Sequence, residues 1–129
     1  MRFQITVKTF TKLNESQKLV LIIENLEREI NNGGFNQFFH NSSGDFTHET
    51  VAALKTIKAF TTADIVSKAI AAWPKQTVPK DRTERQAMLG QIENKANETW
   101  NQCDEEFYKY QDDIAKLVMD FVRVNKSDF

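Results

Sequence analysis

Two histidines, His40 and His48, and one cysteine, Cys103, are the strongest candidate metal ligands and nucleophiles in this chain. With Glu29, Asp45 or Glu49 the histidines could assemble a mixed metal site. Their spacing matches no HExxH pattern, however, and no cysteine pair joins them. No metal is expected. Cys103 falls on the apolar stripe of a helical pattern and is followed by Asp104, Glu105 and Glu106. Acidic neighbours raise a thiol's pKa, whereas a catalytic cysteine needs a base and electropositive surroundings. It reads as a buried structural thiol. The chain carries no P-loop, dinucleotide fingerprint or GxSxG elbow. No catalytic residue and no cofactor is therefore expected.

Two polar clusters remain. The first is the run EINNGGFNQFFHNSSGD, Glu29 to Asp45, which holds three of the four glycines and three of the ten phenylalanines. Within it Glu29, Asn32, Gln37, His40, Asn41 and Asp45 form a candidate polar-loop site. Facing a groove, they could bind a small ligand or serve an enzyme. The simpler reading is that these side chains satisfy backbone groups freed at two helix ends. The second cluster is Glu98, Asp104, Glu105, Glu106, Asp112 and Asp113, opposed between residues 98 and 113 only by Lys109. Carboxylates near a helix start are favoured by the helix dipole and need no partner. Spaced along a helix, they can also imitate phosphates and meet a basic or DNA-binding protein.

The elements that carry these clusters read as helices. Leu19, Ile22, Ile23, Leu26 and Ile30 share one face of a first helix, capped by Asn14 with Gln17 three residues on. Asn31-Asn32-Gly33-Gly34 marks its end. Phe35, Phe38 and Phe39, at i, i+3 and i+4, suit a short second helix, closed by Asn41-Ser42-Ser43-Gly44-Asp45. Phe46-Thr47 and Phe60-Thr61 each read as a hydrophobic staple plus threonine cap opening a further helix. Pro74 stops the second of these, and residues 74–81 form a loop between two helical halves. Asp81 with Glu84 looks like another capping box. Beyond it Leu89, Ile92, Ala96, Trp100, Cys103, Phe107, Tyr110, Ile114, Leu117 and Phe121 keep one helical period. Unbroken, that helix would span about 60 Å, which implies a long arm and a dimer. That length is too great for a compact domain of this size, so a break is placed near Asn101–Asp104, with Asp104 as cap, and the unbroken helix is the alternative. The alternation Phe3, Ile5, Val7 at the N-terminus suggests an extended arm over residues 1–12. The expected fold is an all-α, compact, single-domain bundle of about six helices covering residues 1–129.

Bulk properties narrow the function classes. With 17 basic and 18 acidic residues the net charge is −1, so the chain lacks the basic stripe of a general nucleic-acid binder. A single cysteine excludes an internal disulfide and fits a reducing compartment. The start, MRFQITVKTF, has no signal-peptide core, and no apolar run could span a bilayer. These features point to a soluble, intracellular protein.

The run NNGGF-x-QFF-x-NSSG, together with Glu49, Thr50, Ala53, Leu54, Ala59, Ala63, Ala69, Ile70 and Pro74, resembles the signature of the DNA mimic protein 19 family. Asp104-Glu105-Glu106-Phe107-Tyr108 is similar to that family's acidic-aromatic helix start. The resemblance implies an all-helical bacterial cytoplasmic protein, often a homodimer. It also implies a protein partner, since the namesake is described as an acidic protein that binds a transcription factor in place of DNA. It supplies no catalytic residues. A net charge of −1 departs from that description and leaves a local acidic surface as the form such binding would take. The expected function is thus a non-enzymatic, regulatory protein-interaction domain. The alternatives are an immunity or antitoxin-type protein, and a ligand binder or enzyme using the polar loop.

Overall fold

A computed structural model describes residues 12–129, so the N-terminal arm expected over residues 1–12 lies, but for Lys12, outside the described residues. Five α-helices make up the described chain: α1 (Glu15–His40), α2 (Thr47–Thr56), α3 (Phe60–Ile70), α4 (Arg82–Tyr108) and α5 (Ile114–Val124). Short 3-10 turns occupy Ser42–Phe46, Pro74–Gln76 and Lys126–Asp128. The two long helices, α1 and α4, pack together, α2 and α3 pack on each other, and α2 contacts α1 while α3 contacts α4.

Asn14 opens α1 with a reciprocal capping box. Its Oδ1 accepts the Gln17 N–H at 2.8 Å and its own N–H donates to Gln17 Oε1 at 3.2 Å. Leu26 and Ile30 face inward and are fully buried. The helix does not stop at the glycine pair. It kinks there: Gly34 has φ 74° and ψ −171°, a region essentially reserved for glycine. The chain re-enters helix at once, so the two helices expected on either side form one continuous element with an offset axis. The offset turns Phe35, Phe38 and Phe39 into the core, all fully buried. Phe39 meets Trp73 and Trp100 with ring centroids 5.2 Å away in each case, and Phe35 meets Phe107 edge-on. Trp100 Nε1 donates to Ala69 O at 3.0 Å, tying α4 to α3.

Three local expectations are corrected. The break placed near Asn101–Asp104 lies later, over residues 109–113, because Trp100, Cys103 and Phe107 continue the buried stripe without interruption. The turn holds Tyr110 at φ 45°, and Asp113 caps α5 by accepting the Lys116 N–H at 3.2 Å. Thr47 does not cap α2. It is already helical, and its hydroxyl donates back to Gly44 O at 2.7 Å. Thr61 does not cap α3 either, and Phe60, 57% exposed, forms no staple. Asp112 supplies that cap from elsewhere in the chain, accepting from the Thr62 N–H at 2.7 Å and the Thr62 hydroxyl at 2.8 Å.

A Cβ on Gly34 would overlap the Asp104 carboxylate as well as strain the backbone. Gly34→Ala is therefore expected to cost about 2–4 kcal/mol in urea unfolding. Gly90→Ala, at a helical position with open space around it, is expected to stabilise by about 0.5–1 kcal/mol. Equal effects of the two would contradict this account of the kink.

Candidate functional site

The polar-loop residues are placed close together, and they bond mainly to one another and to α4. Glu29 Oε2 accepts from Gln37 Nε2 at 2.6 Å and from Asn41 Nδ2 at 3.3 Å. His40 Nδ1 lies 3.3 Å from Asn41 Oδ1, and the His40 carbonyl accepts from Gln86 Nε2 at 2.8 Å. Asp45 pairs with Arg82 at 2.9 Å and Arg85 at 2.7 Å. Asn32 stands exposed at the kink. His48 accepts the Val78 N–H on Nε2 at 3.1 Å, pinning the 74–81 loop. Among the described residues no three His, Cys, Asp or Glu side chains converge as metal ligands would.

Arg85 organises this region, and sequence reasoning missed it. Its side chain is completely buried. Nε donates to Phe39 O at 2.6 Å, Nη1 to Pro79 O at 3.1 Å and Lys80 O at 2.9 Å, and Nη2 to Asn41 O at 2.9 Å and Asp45 Oδ1 at 2.7 Å. All five guanidinium N–H groups are thereby used. Two of the acceptors are carbonyls at the C-terminal end of α1, where helix carbonyls lack internal partners and the dipole favours a cation. A Cβ on Gly44 would lie 2.6 Å from Phe39 O and 2.7 Å from Arg85 Nε, so this turn closes only with glycine. The available signal was register: Arg85 sits four residues before Leu89, on the buried stripe of α4.

The six acidic candidates do not form one uniform row. Asp104 Oδ1 accepts the Phe35 N–H at 2.8 Å, capping the helix beyond the kink, while Asp112 and Asp113 cap α3 and α5. Glu106 pairs with Lys109 at 2.8 Å, and that bond holds its carboxyl below the usual range. Glu98 and Glu105 are exposed. Burial raises the Asp104 pKa, the Phe35 N–H opposes the rise and Glu105 adds to it. Burial likewise pushes the Cys103 thiol up to about 11, with Lys68 opposing and Asp104 and Glu106 adding, as suits an inert core thiol. Across the 109–113 turn, Tyr110 donates to Glu27 at 3.0 Å and accepts from Asn31 at 2.8 Å, while Tyr108 donates to Ile30 O at 2.8 Å. Together they fasten this turn to α1.

Among the described residues three concavities lie away from the polar loop, one of them a shallow groove of about 280 Å³ beside Leu13, Val20 and Phe129. A cleft of about 230 Å³ between α3 and α4 is lined by Ile65, Lys68, Gln102, Cys103, Glu105 and Glu106. An apolar groove of about 480 Å³ runs between the end of α2 and α5, past Ile57, Leu117, Phe121 and Val124. Among the described residues no helix is long and apolar enough to cross a membrane.

The chain is an all-α protein built around a helix that Gly34 kinks and that Phe35, Phe38 and Phe39 anchor in the core. The profile of a family described as DMP19-like protein matches residues 11–125, nearly the whole chain, and the chain belongs to that family. No curated protein and no solved structure matches it.

The raised pKa of Asp104 means that its charged form costs stability. The cost is absent below the unfolded value, appears as pH rises through the folded value, and is complete above it. Asp104→Asn keeps an oxygen for the Phe35 N–H and removes the charge. Thermal melts should show this variant gaining on the native chain as pH rises from about 4 towards 7. Asp104→Leu leaves the N–H without an acceptor and should lose about 1–3 kcal/mol at neutral pH. A pH-independent difference between the Asn variant and the native chain would contradict the assignment.

Proposed function

We propose that this protein is a non-enzymatic, regulatory interaction domain of the cytoplasm, binding a partner protein through a local acidic surface. Family membership supports a protein-binding role. The observation that carries the site is the contrast between its two polar clusters. The loop from Glu29 to Asp45 spends most of its side chains on internal bonds, whereas Glu98 and Glu105 face solvent and Glu106 is engaged only by an exposed lysine. Asp104, Asp112 and Asp113 add negative potential to the same end while acting as caps. Their charge helps to steer a basic partner even where their oxygens are occupied.

The whole chain is close to neutral, so binding of this kind is confined to one face and depends on salt only modestly. The test is the triple variant Glu98→Gln, Glu105→Gln, Glu106→Gln, which spares every cap. Affinity for a partner purified with the native chain should fall at least about tenfold, with a shallower salt dependence. Unchanged affinity and an unchanged salt slope would refute the acidic-surface reading.

A further inference from the structure

The solvent face of α4 has an unusual composition. Gln91, Asn94, Asn97, Glu98, Asn101, Gln102 and Glu105 are all exposed, and none has a hydrogen-bond partner among the described residues. At 100° per residue they share one arc, opposite the buried stripe of Leu89, Ala96, Trp100 and Cys103. They run along about 21 Å of helix. Asparagine is among the poorer residues for a helix interior, because its short amide competes for the backbone. Exposed helix positions ordinarily take lysine, glutamate or alanine, yet this face repeats asparagine at 94, 97 and 101. Nothing in the fold uses these side chains. Most asparagines elsewhere among the described residues have visible duties: Asn14 caps, Asn25 bonds to Leu21 O, and Asn41 bonds to Glu29, with the exposed Asn32 at the kink an exception.

We infer that the α4 face from Gln91 to Glu105 is the partner-binding surface, and that it seats a protein surface presenting arginine side chains. This inference rests on the interaction-domain reading above and specifies its site and partner chemistry. The face carries two carboxylates, which only accept, five amides, which accept and donate, and one edge cation, Lys95. Its surplus is acceptors in planar groups. A guanidinium answers that surplus with a rigid fork that bonds carboxylate and amide oxygens two at a time, which an ammonium cannot do. Glu98 and Glu105 repel phosphate, which disfavours nucleic acid. The absence of large apolar residues from the seven disfavours a membrane. Gln102 and Glu105 also edge the 230 Å³ cleft, whose Ile65 offers an apolar surface for an arginine stem and whose one cation, Lys68, is outnumbered by Glu105 and Glu106.

The experiment uses the full-length ¹⁵N-labelled chain, titrated with N-acetyl-arginine methylamide and, separately, with N-acetyl-lysine methylamide. Saturable shifts are expected in the side-chain NH₂ signals of Asn94, Asn97, Asn101 and Gln102, at least threefold larger with the arginine probe. Asn94→Ala, Asn97→Ala, Asn101→Ala in one chain should abolish the remaining Gln102 response while raising Tm by a few degrees. Shifts centred on Glu106, Asp112 and Asp113 would overturn the α4 face and leave the acidic-surface reading standing. Equal responses to both probes would overturn the arginine assignment. No response to either would overturn the α4 face, and the acidic-surface reading would then be decided by the partner affinity of the triple glutamine variant.

Discussion

A buried guanidinium holds this fold together at its most crowded point. Arg85 is removed from water entirely, and its charge is tolerable only because each N–H finds an oxygen. The acceptors come from three places: the end of α1, the 3-10 turn that follows it, and the loop that leads into α4. One side chain thus fixes how α1 ends, how the chain reverses, and where α4 begins. The constraints on Gly44 and Asp45 follow from it. The loop between Pro74 and Asp81 is held from both sides, by Arg85 on its carbonyls and by His48 on the Val78 N–H.

The carboxylates of the C-terminal half repeat the same principle with the opposite charge. Asp104 serves the helix start created by the Gly34 kink, and Asp112 serves the start of α3. Each is an acid at a helix N-terminus, where orphan N–H groups and the dipole favour it. The kink itself carries no local capping side chain, so glycine conformation and distant carboxylate are a matched pair. The acidic character of this end is therefore part structural and part surplus, and the surplus, at Glu98 and Glu105, faces solvent and makes no bond that the core depends on.

The sequence was legible wherever cause and effect lie within a few residues. Asn14 with Gln17 and Asp81 with Glu84 mark their helix starts correctly. The aromatic spacing of Phe35, Phe38 and Phe39 gives the right buried face, and the glycine pair read as a helix end does interrupt the helix, through the positive φ of Gly34. What failed depended on distance along the chain. Thr47 and Thr61 look like caps in isolation, but the acceptor for α3 sits fifty residues away on Asp112. Asp104 likewise looks like the start of its own helix, yet it caps a segment 69 residues earlier. Arg85 is ambiguous in sequence, because a cation on an apolar stripe is a solvated intruder or a buried hub depending on which carbonyls surround it. The free amide face of α4 could be suspected only once the structure had separated bonded asparagines from unbonded ones.

The central claim is that five bonds to Arg85 hold the α1 end, the turn and the 74–81 loop in one arrangement. Urea unfolding of Arg85→Lys tests it most directly, since lysine keeps the charge but has only three donors and no fork. The account gives a loss of about 2–4 kcal/mol, with the carbonyls of Phe39 and Asn41 left short of partners. A lysine variant within about 0.5 kcal/mol of the native chain, the range of an ordinary surface substitution, would contradict it.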